Sequence, residues 1–324
     1  MQSLQDIADY LKTCKSVLVA THIQPDPDAV GSGAALTQGL LSIGIDTKFY
    51  LTCPMFYRMA PLVGTTPIIF HVPNYNFDAV VVVDCANLMR TGDESERLVG
   101  AGKRVICIDH HFSNESFGDY TYVEPERASS SEIVYDLLKM LRVTVSEEIA
   151  NLLYAGLADD TGSFRYSNAN NKAFESAARM VADGAKPHHV ASSLYFSMPV
   201  EVLRLRARAL SKLRFSLDGK VCVVTLTQKD FDETGASGDA ADGIVDEARR
   251  AQGTYCAVFI RELDNKWKVS LRSKHDKLDV NAVAAVFGGG GHVMASGYKV
   301  KGTIEEVEAA LLEQLKQAID RIVV

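Results

Sequence analysis

The sequence predicts an α/β protein: a doubly wound parallel-sheet domain joined by a connector helix to a smaller α/β domain. Three observations predict it. Short β-branched apolar runs, Val17–Ala20, Ala79–Val83 and Val105–Ile108, recur through the first half, and uninterrupted runs of this length read as strands buried on both faces. Segments of helical periodicity alternate with such runs, the pattern of a parallel sheet covered by helices. Each run also ends in hard ligands: His22, Asp26 and Asp28 after the first, Asp84 after the second, and Asp109-His110-His111 after the third. The ligand crevice of an open α/β sheet lies at the carboxyl ends of its strands. Side chains far apart in the chain are therefore expected to converge on one point.

The elements follow in order. After His22–Asp28 a helix runs through Ala34–Leu41 and stops near Gly44. Ser129-Ser130-Ser131-Glu132 has the form of a capping box and opens an amphipathic helix over Ile133–Leu141. A helix from Glu147 to about Ala158 delivers Asp159 and Asp160, and another, roughly Asn171 to Ala182, ends at Gly184. From Pro199 the pattern changes. Glu201 to about Arg214 reads as one helix, with Leu203, Leu210 and Leu213 on one side and Arg204, Arg208 and Lys212 on another. It is read as a connector (191–214) between a first domain (1–190) and a second (215–324). The second domain offers strands at Val221–Leu226, Tyr255–Ile260 and Lys268–Arg272, an exposed loop over Asp232–Asp239, and a glycine-rich loop, Gly288–Gly291, ending in His292.

Composition narrows the function classes. A 47% hydrophobic, 23% charged chain of 324 residues is ordinary for a globular protein. No apolar stretch reaches the length of a membrane span, and Met1–Asp6 lacks the basic-then-apolar pattern of a secretory signal. Six scattered cysteines without a CxxC pair read as reduced thiols, so the expected location is the cytoplasm. A net charge of −7 argues against a grip on long duplex nucleic acid, which needs a broad basic surface. Any nucleic-acid substrate is expected to be short.

Pro25 and Pro27 stiffen the loop carrying His22, Asp26 and Asp28, so that one loop can serve two neighbouring ions, although paired aspartates also suit a plain turn. Asp84 closes a buried run; its two carboxylate oxygens could bridge two ions, or it could simply cap the next turn. Asp109-His110-His111 is harder to explain as packing, because ionisable groups ending a buried strand are costly without partners. Alternation along an extended segment gives the two histidines separate directions, one ligating and one facing substrate. Acidic residues such as Asp159 and Asp160 are disfavoured at a helix C-terminus, which points to a nearby cation. The glycine run admits close approach of main-chain N–H groups to an anion, or serves as a hairpin connection. Arg272 is either a phosphate clamp or an exposed strand-end charge. His71, His188, His189 and His275 read as structural or solvated, and Arg204/Arg208/Lys212 as a solvated helix face.

In order and spacing His22, Asp26, Asp28, Asp84, Asp109-His110-His111 and Asp160 resemble the motifs of the DHH phosphoesterase superfamily, and Gly288–His292 resembles the hallmark of the DHHA1 domain. Length and pairing are most similar to the small bacterial oligoribonuclease/pAp-phosphatase (NrnA-type) enzymes. The resemblance implies that His22 and Asp26 bind one Mn²⁺, that Asp28, His110 and Asp160 bind a second, and that Asp84 bridges them. Mg²⁺ or Co²⁺ are the implied substitutes. Asp109 would orient the cluster and His111 would contact the scissile phosphate or assist the leaving group. Arg272, Gly289, Gly290, Gly291 and His292 would hold the substrate's terminal phosphate or base. Asp160 is preferred over Asp159 because it directly precedes Thr161-Gly162.

The expected activity is two-metal phosphohydrolysis: short oligoribonucleotides and linear dinucleotides cut to mononucleotides, with 3′-phosphoadenosine 5′-phosphate (pAp) cut to AMP. Two divalent ions suit that chemistry because they lower the pKa of water and offset phosphate charge. The alternatives are an inorganic pyrophosphatase or exopolyphosphatase of the same superfamily, whose pyrophosphatase members lack the GGGGH element, and a non-catalytic nucleotide sensor, which would have lost ligands. The apolar side of the connector helix leaves a homodimer open.

Overall fold

The computed structural model describes residues 2–55, 57–241 and 243–322, and the chain divides into two compact units, residues 1–197 and 198–324. In the first, six parallel strands form one sheet in the order β3-β2-β1-β4-β5-β6. They are β1 (Ser16–Ala20), β2 (Asp46–Tyr50), β3 (Ile68–Ile69), β4 (Ala79–Val83), β5 (Val105–Asp109) and β6 (Tyr120–Val123). The three apolar runs are the central strands β1, β4 and β5. Alternation sends Val17, Val19, Val81 and Val83 into the core beneath the long helices, and Leu18, Ala20, Val80 and Val82 into a smaller core on the opposite face with Phe77 and Leu98. Both faces are covered, which is why the strands read as continuous apolar runs. Strand order reverses between β1 and β4, so the switch-point crevice opens where Thr21-His22 and Asp84 leave the sheet.

The helix Pro27–Ser42 starts at Asp26, whose side chain accepts from the N–H groups of Asp28 and Ala29 (3.1 and 3.0 Å), with Pro27 at its first position. It packs closely on the helix Glu147–Asp160 because glycines stand where they meet. A methyl at Gly31 would collide with the Leu152 carbonyl, and one at Gly156 with Ser131 Oγ and Asp28 Oδ1. The helix Ser130–Met140 opens at Ser129 as expected, with Glu132 N–H donating to Ser129 Oγ. The reciprocal half of the capping box is replaced. Glu132 accepts instead from Ala128 N–H (2.7 Å) and Ser176 Oγ (2.9 Å), because the buried carboxylate is shared with Arg127 and a neighbouring helix.

The second unit is a six-stranded mixed sheet in the order β11-β12-β10-β9-β8-β7: β7 (Arg214–Ser216), β8 (Val221–Leu226), β9 (Cys256–Leu263), β10 (Lys266–Ser273), β11 (Gly290–His292) and β12 (Ala295–Val300). Only the β8–β9 pair is parallel. Helices Val280–Val286 and Ile304–Asp320 cover one face; Val200–Ser211, Gln228–Thr234 and Ile244–Arg249 cover the other. Three expectations change here. The connector helix spans Val200–Ser211, and Arg214 begins β7. Asp232–Thr234 lie in a helix whose stop is the left-handed Gly235 (φ 72°), and Gly238 and Asp239 open a 3₁₀ turn, so only the middle of that stretch is loop. The glycine run is not a free loop: Gly290–His292 form an edge strand paired with β12.

Val200–Ser211 buries Leu205 and Ala209 and leaves Leu203 and Leu210 exposed. Arg208 pairs with Asp230 and Glu233, and Lys212 with Asp230, so these two charges of the basic face are neutralised. All six cysteines are free thiols. Among the described residues no helix is long and apolar enough to cross a membrane.

Candidate metal centre

The strand ends bring the distant ligands together. Within the first unit three groups of side chains each offer donor atoms lying within 4.8 Å of one another: His22, Asp26 and Asp84; Asp28, His110 and Asp160; and Asp84, Asp109, His110 and His111. Asp84 belongs to two of the sets and faces the third through His110, 3.4 Å away. It leaves β4 with a left-handed backbone (φ 53°), a conformation uncommon outside glycine that aspartate tolerates better than most residues. Its N–H donates to the Ile108 carbonyl at 3.0 Å, and Ser130 Oγ donates to its carboxylate at 3.1 Å.

The imidazoles are oriented by their outer nitrogens. His22 Nδ1 lies 2.8 Å from the Ile23 carbonyl, which can only accept, so Nδ1 carries the proton. Nε2 then faces Asp84 (3.6 Å) and Asp26 (3.8 Å). His110 repeats the arrangement, Nδ1 towards the Arg127 carbonyl at 3.3 Å and Nε2 towards Asp160 (3.2 Å) and Asp84. His111 differs: Nδ1 is held 2.7 Å from Asp109, which leaves Nε2 without a fixed role. The two rings do not point opposite ways. Their centroids are 4.7 Å apart, because β5 ends at Asp109 and strand alternation stops with it.

Asp28 is fully buried, and its oxygens accept from the Ser130 and Ser131 N–H groups (2.7 and 3.0 Å) at the start of a helix. That interaction favours the anion, yet burial and the charges of Asp84 and Asp160 raise its pKa well above the usual carboxylate range. Burial likewise raises Asp160. Asp26 is lifted to about 6 by its crowded surroundings and by the charges of Asp84 and Asp160. Its side chain keeps 47% of its surface exposed, so water tempers that rise. Burial opposes the charged form of His110, but hydrogen bonds to Asp160 and Asp84 outweigh it and carry the pKa up to about 12. Asp84 also resists burial, held down by His110 and His22. Carboxylates packed this tightly repel one another, and the imidazoles of His22 and His110 beside them offset part of that repulsion. A donor set of carboxylate oxygens and outward-fixed Nε2 atoms fits hard divalent cations.

Comparison with known proteins identifies the family. Residues 16–157 match the model of the DHH family, N-terminal domain, and residues 218–321 that of the DHHA1 domain. A bifunctional oligoribonuclease and PAP phosphatase NrnA of Thermus thermophilus is 30% identical over 99% of this chain and 95% of its own. The chain belongs to the DHH family. A Bacillus subtilis protein of the same name is 26% identical over 88% of this chain and 89% of its own. The crystal structure of an exopolyphosphatase-related protein from Bacteroides fragilis superposes with a TM-score of 0.90 at 25% identity, covering 97% of this chain and 95% of that one.

In this DHH protein several supporting groups lie outside the motifs. Asn114 donates to Asp109 at 2.6 Å and to the Cys85 carbonyl at 3.1 Å, tying the β5 end to the β4 end. Ser130 and Ser131 hold Asp28 through their backbone. Nothing in the sequence marks Asn114 except its place five residues after Asp109. Arg165 donates to the Gly162 carbonyl. Asp159 stays outside the three donor sets; burial and the charges of Asp26 and Asp160 raise it to about 7.

In the second unit Arg272 and His292 both sit opposite Ala295, on β10 and β11 respectively, so register places them in one row on one sheet face. Arg272 also faces Asp246 at 3.6 Å. Gly289 has no room for a side chain beside Gly297 and Tyr298, nor has Gly291 beside Ser296. His71 pairs with Glu94, His275 packs in a tilted contact against Tyr255, and His188 and His189 are exposed at the start of a helix.

Proposed function

We propose that this chain hydrolyses phosphoester bonds in short oligoribonucleotides and linear dinucleotides, releasing mononucleotides, and dephosphorylates pAp to AMP, with two divalent cations, preferentially Mn²⁺. The observation that carries the reading is the convergence of His22, Asp26, Asp28, Asp84, His110 and Asp160 at the carboxyl ends of adjacent strands. Support comes from relatives named as oligoribonuclease and PAP phosphatase that align over nearly the whole chain.

His22 and Asp26 would hold one cation, Asp28, His110 and Asp160 the other, and Asp84 would reach both. Bound there, the cations would supply water activated near neutral pH and offset the charge of the phosphate. The protein's own part is positional. Carbonyls of Ile23 and Arg127 fix the two ligating imidazoles. Asp109 accepts from His111 Nδ1–H and raises the pKa of the ring, so that the imidazolium would carry a second proton on Nε2 to donate to the scissile phosphate or to the leaving oxygen. The second unit would contribute Arg272, His292 and the N–H groups of Gly289–Gly291 to a terminal phosphate or base. On this reading residues 1–190 do the chemistry, 191–214 connect, and 215–324 read the substrate's end.

A second reading, hydrolysis of pyrophosphate or polyphosphate, draws on the Bacteroides fragilis protein. The test is one assay with Mn²⁺ on four substrates: pApA, a short RNA, pAp and pyrophosphate. Mononucleotide release from pApA or RNA is expected, with Asp84→Ala slower by at least about 10²-fold, the scale for losing one preorganised electrostatic group. Rapid pyrophosphate turnover with inert nucleotides would overturn the nucleotide reading.

A further inference from the structure

The residue directly after His111 is Phe112, whose side chain is 94% exposed. No other large apolar side chain among the described residues is so fully exposed. It does not sit on a loose loop. A turn closes over it, Asn114 N–H donating to the His111 carbonyl at 3.1 Å, and both ends of that turn are anchored. Asp109 accepts from His110 N–H (2.8 Å) and from Asn114 Nδ2, while Glu115 N–H donates to the Ala86 carbonyl at 2.9 Å. The same hydrogen bonds that aim His111 therefore fix the backbone of Phe112. A phenyl ring held in water gives up the burial that an aromatic side chain usually gains, so the fold draws no packing from it.

We propose that Phe112 is a stacking platform for a nucleobase of the substrate, adjoining the phosphate held near His111. This rests on the nucleotide-hydrolase reading above and adds a base subsite to it. The chemistry fits: every base has a π-face, so stacking on an aromatic ring is tolerant of sequence and suits an enzyme acting on varied short nucleotides. One sugar links a base to its phosphate, and neighbouring Cα atoms lie about 3.8 Å apart, so a phosphate at His111 brings a base within reach of residue 112. The stacking preference also distinguishes substrates, because pyrophosphate has no base to place there.

The experiment has two parts, both on the full chain. Steady-state hydrolysis of pApA with Mn²⁺ is measured for the wild type, Phe112→Ala, Phe112→Leu and Phe112→Tyr. Stacking predicts a KM raised roughly 5- to 150-fold in the Ala and Leu variants, a much smaller change in kcat, and recovery in Phe112→Tyr. In parallel, Phe112→Trp is titrated with AMP and with ribose 5-phosphate, with the wild type, whose only tryptophan is Trp267, as background. Quenching by AMP but not by ribose 5-phosphate is expected. If the Ala and Leu variants keep the wild-type KM, or if the two ligands quench alike, the base subsite is wrong. A lower melting temperature at unchanged KM would give Phe112 a structural role and overturn it equally. An inert wild type towards all nucleotides would instead count against the hydrolase reading, and the AMP titration would still report on stacking.

Discussion

At the residue scale, the cluster is built by assigning each polar atom one partner and leaving one direction free. His22 and His110 spend Nδ1 on carbonyls, Asp28 spends its oxygens on two N–H groups, and what remains points inward. Asp78 shows the same economy away from the site. Its carboxylate accepts from the N–H groups of Lys15 (2.7 Å) and Ser16 (3.2 Å), which lead into β1, and from Lys103 Nζ at 2.7 Å. The Lys103 bond, then the Lys15 N–H, hold its pKa down at about 2, against about 4 in an unfolded chain. A carboxylate depressed on folding stabilises above its unfolded pKa, so this contribution is complete above about pH 4 and lost as pH falls towards 2. Allowing for its partial exposure, Asp78→Asn is expected to cost about 1–2 kcal/mol at pH 7. The urea midpoints of variant and wild type should converge below pH 2; a gap that stays constant down to that pH would show that the pairing is not the source.

At the scale of elements, the site depends on how near two helices approach. The helix Glu147–Asp160 carries Asp160 at its last turn, and Gly156 lets it pass beside Asp28 and Ser131. Gly156→Ala would push a methyl into the cradle of Asp28. Overpacking of this kind costs about 1–3 kcal/mol, and here it would also separate Asp28 from Asp160. The expected result is a lower melting temperature together with Mn²⁺ affinity weakened by about 10-fold or more, the scale seen when groups supporting a metal ligand are disturbed. Isothermal titration separates the effects; a destabilised variant with undiminished affinity would show that the helix approach does not set the ligand spacing. Such packing was not legible in the sequence. The strands β1, β4 and β5 were, because burial on both faces leaves an unbroken apolar run, and so was the convergence of their ends. Asn114, the carboxylate switch at Glu132 and the edge strand Gly290–His292 were not: the first two are settled by partners in other elements, Cys85 and Ser176, and the glycines carry no side-chain pattern that marks a strand beside β12. The closeness of the His110 and His111 rings escaped for a local reason: the period-two rule stops where β5 stops.

At the scale of the whole molecule, each unit has its own cores on both faces of its own sheet, and every donor set of the candidate centre lies in the first. Cation binding is therefore linked to the folding of one unit only. A ligand that binds the folded state at 100 times its dissociation constant adds about 2.7 kcal/mol. For a unit of this size that corresponds to a rise of roughly 5–10 °C, at 2–4 °C per kcal/mol. Calorimetry is expected to resolve two transitions, of which Mn²⁺ raises one by that amount and leaves the other in place, and Asp84→Ala should abolish most of the shift. Part of the gain comes from relief of repulsion among Asp26, Asp28 and Asp160, so neutralising Asp28 with Asn should stabilise the cation-free first unit while weakening its response to Mn²⁺. A single transition moved as a whole by Mn²⁺ would mean instead that the two units unfold together, and the second would then share in the stability the cations confer on the first.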